Sequence, residues 1–266
     1  MLTIKSFFDT ADFPDQRLFA PEAHLWQPLH DLKNYMDTYT YPKYDNVYIR
    51  NGIPLTEHIV IHKGQTLDFN DLEITYGATT KGELQVKRAG MVLEGASVIM
   101  AGAVLLGKQI ALGRGVLIES GAMIKSPAII GDMSEVRQGA YLRGYCLAGK
   151  RCVLGHATEI KHSIMLNDAK AGHFAYLGDS ILGNDVNLGA GTKLANLKFL
   201  PGTITVFFQG ERIDTNRRKL GAILADGCQT GCNSVTSPAT LMAKGAVLMP
   251  NATARSGYHE EKALLR

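Results

Sequence analysis

Counted from Met100 in steps of six, the chain reads Met100, Leu106, Leu112, Ile118, Ile124, Ile130, Val136, Leu142, Ala148, Leu154, Ile160 and Leu166. Every one is apolar. At an apolar content of 45%, such a column arises by chance on the order of 10⁻⁴ to 10⁻³ of the time over the six registers. A second column runs four positions later: Val104, Ile110, Val116, Ala122, Ala128, Ser134, Ala140, Cys146, Cys152, Thr158 and Ile164. It holds only small or β-branched residues. Glycine follows the large residue at Leu106, Leu112, Ile130 and Leu154.

A period of six suits neither an α-helix nor a simple array of hairpins. It suits a short strand and a turn, repeated as the faces of a parallel β-helix. The large aliphatic residue fills the interior, the small one fits where the wall turns, and glycine permits turn dihedrals closed to residues with a Cβ. Coils bonded only to their neighbours give the nearest-neighbour stability of solenoids.

The step shortens to five between Leu177 and Leu182 and returns to six at Leu188. After Lys198 the repeat is interrupted by FLPGTITVFFQGERIDTNRR. Alternation over Thr203–Phe207, then Gln209-Gly210, then Glu211–Asp214, predicts a hairpin excursion. The coils resume near Leu220-Gly221 and run to about Asn251. Ahead of them, Leu25, Leu29, Leu32 and Met36 make an amphipathic helical stripe, read as core contact or a binding surface. The aromatic stretch YTYPKYDNVY at 39–48 is expected to be a loop packed on the first coils. YHEEKALLR at the end reads as a short terminal helix. The division expected is a cap over 1–85, a β-helix over 86–256 with a hairpin insertion at 199–218, and a tail over 257–266.

Bulk properties narrow the function classes. Twenty-eight Lys+Arg against 25 Asp+Glu give +3, too balanced to predict a nucleic-acid or membrane surface. MLTIKSFFDTADFPDQ lacks the basic start and apolar run of a secretory signal, and no apolar run approaches the ~20 residues that span a bilayer. The expected compartment is the cytoplasm. Cys146, Cys152, Cys228 and Cys232 do not make a disulfide framework or a zinc-finger spacing, and read as small core-filling thiols.

KAGHFAYLGDSILGNDVNLGAG at 170–191 concentrates glycine around one histidine, His173. It lacks the order of a P-loop and the strand-and-helix flanks of a dinucleotide fingerprint, so its glycines belong to solenoid turns. His156, His162 and His173 lie six and eleven apart; on three-sided coils the first two fall on different faces, and no metal site is expected. Arg143 and Lys161 are eighteen apart, one full coil, and stack on one face as counter-charges for an anion or as solvated surface charges. An imidazole of unperturbed pKa near 6.5 could serve as general base, or be structural.

The order of these motifs resembles a known family. Leu142-Arg143, Glu159–Lys161 as E-x-K, Gly172–Asp179 as GH-x-x-YLGD, then VN-x-GAG-T and Asn196 look like the acetyltransferase domain of the bifunctional enzyme that makes UDP-N-acetylglucosamine. GAGTKLANLKF, the hairpin excursion and RRKLGA look closer to archaeal relatives of that type. The detailed likeness covers roughly 130–250, and the repeat extends it to about 90.

The resemblance implies a left-handed β-helix of three hexads per coil, a homotrimer with sites between neighbouring prisms, and N-acetylation of glucosamine-1-phosphate by acetyl-CoA as co-substrate. It implies His173 as base and Arg143, Lys161, Tyr176, Asn187 and, across the insertion, Lys219 as sugar-phosphate ligands. It implies Ala190, Asn196 and Cys232 on the acetyl-CoA side. An acyltransferase on another amino-sugar or nucleotide-sugar, or a non-catalytic sugar-phosphate-binding partner of a nucleotidyltransferase, stays open. Leu197 replaces the family's tyrosine and Cys232 its serine; Arg255 is a candidate for the CoA phosphates, and Arg217 and Arg218 for other anionic groups. No G-G-x-G-x-R-type nucleotide loop occurs, so uridylyl transfer is expected to be missing or to reside on a separate nucleotidyltransferase chain.

Overall fold

The computed structural model describes residues 2–44 and 49–266. Short parallel strands stack into three sheets, the faces of a prism. The first face runs through Val104–Leu106, Met123–Lys125, Tyr141–Arg143, Glu159–Lys161, Tyr176–Gly178 and Lys193–Leu194 to Thr253–Ala254. The second runs from Ile110–Leu112 through Cys146–Ala148, Ser163–Met165 and Ile181–Leu182 to Gly257–His259. The third runs from Ser97–Ile99 through Val153–His156, Lys170–His173, Asn187–Leu188 and Gln229–Thr230 to Leu264–Leu265. This is a mainly β parallel solenoid, in agreement with the left-handed β-helix that the resemblance implies.

From Leu112 on, the six-residue columns line its interior; in the first coil register puts Ile99 and Leu105 inside rather than Met100 and Leu106, a seven-residue step before Leu112. Ile118, Ile124, Val136 and Leu142 are fully buried, as are Ala122, Ala128, Ser134 and Cys152 in the small column. Small polar residues bind the next coil across the turn: Ser134 Oγ donates to the Gly149 carbonyl at 3.0 Å and accepts from the Cys152 amide at 2.9 Å. Cys146, Cys152 and Cys228 do the same through Sγ, and burial pushes each thiol up to about 12. Cys232 alone of the four is exposed.

Most Leu-Gly glycines serve close approach rather than turn dihedrals. Gly107 has φ +94°, but a Cβ on Gly155 would lie 1.9 Å from the Gly172 carbonyl oxygen, and one on Gly189 would lie 2.6 Å from the Cys232 nitrogen. These glycines let adjacent coils pass each other.

Strand register locates three short steps, not one. Leu142 pairs with Ile160 eighteen residues on, but Ala148 pairs with Met165 and Met165 with Leu182, seventeen on. The five-residue steps are therefore Ile160 to Met165, Leu177 to Leu182 and, in the last coil, Ala254 to His259. Met165 and Leu166 are both buried, so counting apolar residues put Leu166 in the column where register puts Met165. At each short step one residue is lost from the corner between the first and second faces. The remaining corner residues at the first two, His162 and Asp179, both have φ +47°.

The helix Gln27–Thr38 buries Leu29, Leu32 and Met36 completely, so the stripe is core contact. The amino-terminal segment runs along the second face: Asp226 N donates to Phe7 O at 3.1 Å, Asn167 Nδ2 to Asp12 O at 3.1 Å, and Tyr145 Oη to Asp37 at 3.1 Å. The insertion lies beside it. Its strands Thr205–Phe208 and Glu211–Asp214 pair antiparallel around Gln209-Gly210, both at positive φ as a tight hairpin turn requires, and Thr215 O meets His30 Nε2 at 2.9 Å.

The cap holds strands that a helical or irregular reading missed. Ile59–His62 and Gln65–Asp68 form a hairpin that joins the third sheet antiparallel to Ser97–Ile99. Leu72–Thr75, Gln85–Arg88 and Met91–Val92 form a small sheet, so the boundary at 85/86 falls inside a strand. The loop at 39–48 packs on the first coils through Tyr44 Oη, which accepts from Leu112 N at 2.9 Å; residues 45–48 lie outside the described residues. The terminal helix expected in YHEEKALLR is corrected to strand. Leu264 and Leu265 pair with Val247 and Leu248, and Gly257–His259 pairs with Thr240–Met242, so the tail completes a coil. No helix among the described residues is long and apolar enough to cross a membrane.

Candidate active site

The edge between the third and first faces is a repeated turn whose second residue is left-handed: Ala157, Phe174, Gly191, Asn233 and Asn251 have φ between +47° and +77°. The residue before each forms a column down the prism, namely His156, His173, Ala190, Cys232 and Pro250. Backbone bonds hold it in register, from Phe174 N to His156 O at 2.8 Å, Gly191 N to His173 O at 2.9 Å, Asn233 N to Ala190 O at 2.8 Å, and Asn251 N to Cys232 O at 2.9 Å. His173, Ala190 and Cys232, separated by seventeen and forty-two residues in sequence, are thus successive on one edge. The His173 ring is exposed and stacks on His156, with centroids 5.5 Å apart and planes at 22°.

Arg143 and Lys161 occupy neighbouring coils of the first face, following the paired Leu142 and Ile160, with Lys125 paired above Arg143. Both cations have carboxylate partners. Arg143 bonds Glu159 at 2.6 Å, and that hydrogen bond raises its pKa. Lys161 Nζ lies 3.5 Å from Asp179. Tyr176 stands beneath Glu159; burial, with the charges of Glu159 and Asp179, raises its pKa.

Asp179 is the centre of the far corner. Its nearly buried carboxylate receives Asn196 Nδ2 at 2.6 Å, Arg217 Nη2 at 3.2 Å and His162 Nδ1 at 3.3 Å, besides Lys161. Burial alone would raise this carboxyl. Hydrogen bonds from His162 and Asn196 and the cations around it outweigh burial and hold it below the usual carboxylate value. Arg217 comes from the end of the insertion; burial lowers its pKa, against the pull of Asp179. A guanidinium starts so high that it stays charged at neutral pH. Gly178 makes room for the corner, since a Cβ there would lie 2.5 Å from Asn196 Nδ2 and 2.6 Å from Tyr176 Oη.

The expected residues therefore fall into separate groups. His173, Ala190 and Cys232 share one edge. Arg143, Lys161 and Tyr176 are on the first face, and Asn196 is buried at its far corner, on Asp179 rather than beside Ala190 and Cys232. Lys219 is exposed, bridged through its backbone to Leu197. Asn187 is exposed on the third face, in line with Lys170 and Gln229. Arg217 turns inward, while Arg218 is exposed. Asp179 and His162 were missed as site residues. A signal existed in the short step, which removes a residue at that corner and brings the two together. Among the described residues, no group of three or more His, Cys, Asp or Glu is placed to hold a metal. A cavity of about 540 Å³ lined by Tyr76, Met100, Leu117, Glu119 and Glu135 includes none of the expected residues.

Such an arrangement offers an exposed imidazole beside backbone amides on an edge, and a cation-bearing face next to it. No family model matches the chain. A bifunctional sugar-1-phosphate nucleotidylyltransferase/acetyltransferase of Sulfurisphaera tokodaii is 37% identical over 123 residues, 46% of this chain and 31% of that protein. The bifunctional protein GlmU of Methanocaldococcus jannaschii is 37% identical over 92 residues, 35% of this chain and 22% of that one. The GlmU of an Exiguobacterium species is 31% identical over 132 residues, 50% and 26% of the two chains. The matched region thus spans less than a third of each relative's length. A solved perosamine N-acetyltransferase mutant from Caulobacter crescentus, in complex with CoA and GDP-perosamine, is 17% identical, covering 60% of this chain and 52% of that one; its TM-score of 0.29 is too low to carry an argument. The chain is a six-residue-repeat solenoid homologous, over part of its length, to the bifunctional sugar-1-phosphate nucleotidylyltransferase/acetyltransferases.

Proposed function

We propose that the chain transfers an acetyl group from acetyl-CoA to the amine of a sugar phosphate, with glucosamine-1-phosphate as acceptor. The observation that carries this reading is the exposed His173 ring in line with Ala190 and Cys232, one turn from the face bearing Arg143, Lys161 and Tyr176. The names of the relatives support acetyl transfer.

In this reaction the neutral amine nitrogen attacks the thioester carbonyl. The C–N bond forms, the C–S bond breaks, and the surplus proton of the nitrogen passes to a ring nitrogen of His173. The CoA thiolate leaves and takes up a proton to become the thiol. Backbone N–H groups near Ala190 and Cys232 would polarise the carbonyl, a task that does not need the hydroxyl cysteine has replaced. Arg143 and Lys161 would oppose the phosphate charge, exchanging Glu159 and Asp179 for it in part, with Tyr176, Asn187 and Lys219 completing the acceptor pocket. Amine and thioester react without a metal.

The same reading favours a homotrimer. Asn187 and the first-face cations stand on opposite sides of a convex edge and diverge, so one small ligand reaches both kinds of residue only where two copies meet. The second face is covered by the chain's own helical segment and hairpin. The first face, with Lys125, Tyr141 and Arg143 exposed, is free to meet a second copy's edge. Asn196 would then serve acetyl-CoA from the neighbouring prism.

The test is CoA release from acetyl-CoA and glucosamine-1-phosphate by the wild type and by His173→Ala. Turnover that falls about 10²-fold or more in the variant is expected for loss of a general base. Turnover with another amino sugar alone would replace the acceptor. Absence of turnover across a panel of amino sugars would make the chain a binding partner rather than an enzyme.

A further inference from the structure

His173 stands on the edge with little to hold its ring. Among the described residues its side chain makes no hydrogen bond; ring contacts set its orientation, with His156 in the coil above and Phe174 beside it at 6.3 Å and 39°. We infer that His156 is a positioning residue for His173, its ring acting as a plate that fixes the plane of the base. This inference rests on the acetyl-transfer reading.

Register is the first support. His156 and His173 are directly paired in neighbouring strands of the third face, at the same place on successive coils. The bond from Phe174 N to His156 O, 2.8 Å, fixes the two turns on each other.

Asymmetry is the second. His156 is half-buried and so the better anchored of the two rings, whereas His173 is exposed. Below His173 the edge residue is Ala190, which presents a methyl group and leaves that side open. A flat ring above and open space below is the arrangement a base needs if its ligand approaches from one side. The base must come within about 2.6–3.2 Å of the proton it takes, and a misplacement of about 1 Å can cost on the order of 10²-fold in rate.

The experiment compares His156→Ala and His156→Phe in the full chain. Steady-state kinetics would use acetyl-CoA and glucosamine-1-phosphate, and the His173 ring signals would be followed by NMR after histidine labelling. Loss of the plate should lower kcat about tenfold while both KM values stay within about twofold, and phenylalanine, which keeps a flat ring but no nitrogen, should restore kcat to within about threefold. The His173 ring signals should move in His156→Ala and stay near their wild-type positions in His156→Phe. Unchanged kcat in His156→Ala, or His156→Phe as slow as His156→Ala, would overturn the inference. A wild type that acetylates no amino sugar would overturn the proposed reaction instead; the ring signals would then decide the stack, which unchanged His173 signals in His156→Ala would refute.

Discussion

Asp179→Ala probes the corner on which the first face depends. The side chain is 7% exposed and meets three basic side chains and one amide, with Arg217 itself 12% exposed. Removing one partner of a buried pair costs about 3–5 kcal/mol, because the other charge is left without compensation. Two features place this case at the lower end. Lys161 is 29% exposed and can turn to water, and the corner keeps a bond from Arg217 Nε to the Lys219 carbonyl at 3.0 Å. A loss of about 3 kcal/mol follows, and about half that for Asp179→Asn, which keeps an oxygen acceptor for Asn196 but no charge.

Solenoids need not unfold in one step, so the assay is amide hydrogen exchange at the corner and through the insertion, alongside guanidinium denaturation. A 3 kcal/mol loss speeds exchange through local opening roughly 140-fold. Because the folded carboxyl lies below its ordinary value, its contribution is complete above the unfolded pKa of 3.8 and disappears as pH falls through the lower folded value. The gap between wild type and variant should therefore be full at neutral pH and close in strong acid. Exchange at the corner amides within threefold of wild type at pH 7 would refute the reasoning.

Other substitutions separate the parts of the site. Arg143→Ala breaks an exposed pair with Glu159, so stability should change by less than about 0.5 kcal/mol, while KM for the sugar phosphate rises at least about tenfold and KM for acetyl-CoA is unmoved. Equal changes in both KM values would argue against a phosphate contact. Gly178→Ala and Gly189→Ala should differ sharply in denaturation experiments. The first Cβ meets the ends of Asn196 and Tyr176, which can shift, and should cost about 1 kcal/mol; the second meets the Gly231 and Cys232 backbone, which cannot, and should cost about 3 kcal/mol or more.

The prism was legible in the residues because a solenoid interior samples the chain at a constant step, so each coil repeats the evidence of the last. The tight hairpin was legible for a local reason, since Gln209-Gly210 sits between alternating strands. What escaped depended on contacts the period does not encode. YHEEKALLR has helix-forming composition, yet Leu264 and Leu265 have a ready-made partner in Val247 and Leu248, and completing a coil outweighs propensity. In the cap, Ile59–Ile61 becomes strand because the open edge at Ser97–Ile99 offers bonding partners nearly forty residues away.

The candidate site divides along the same line. His173, Arg143 and Lys161 could be found from spacing, because edge and face positions recur with the coil. Asp179 could not, since its partners Asn196 and Arg217 arrive from the next coil and from beyond the interruption. Met165 and Leu166 are equally apolar, and so composition conceals the first short step between Ile160 and Met165. That single missing residue has two consequences on opposite edges of the first face. At the far corner it leaves His162 in a tight left-handed turn, and the next short step does the same for Asp179, whose carboxylate lies 3.3 Å from the His162 ring. At the near edge the same seventeen-residue spacing stacks His173 on His156. A chain of uniform eighteen-residue coils would keep the prism, its core and its period, with the longer corner seen at Gly144-Tyr145 in place of the tight turns at His162 and Asp179. The interruption in the repeat, more than the repeat itself, is what distinguishes a site from a scaffold here.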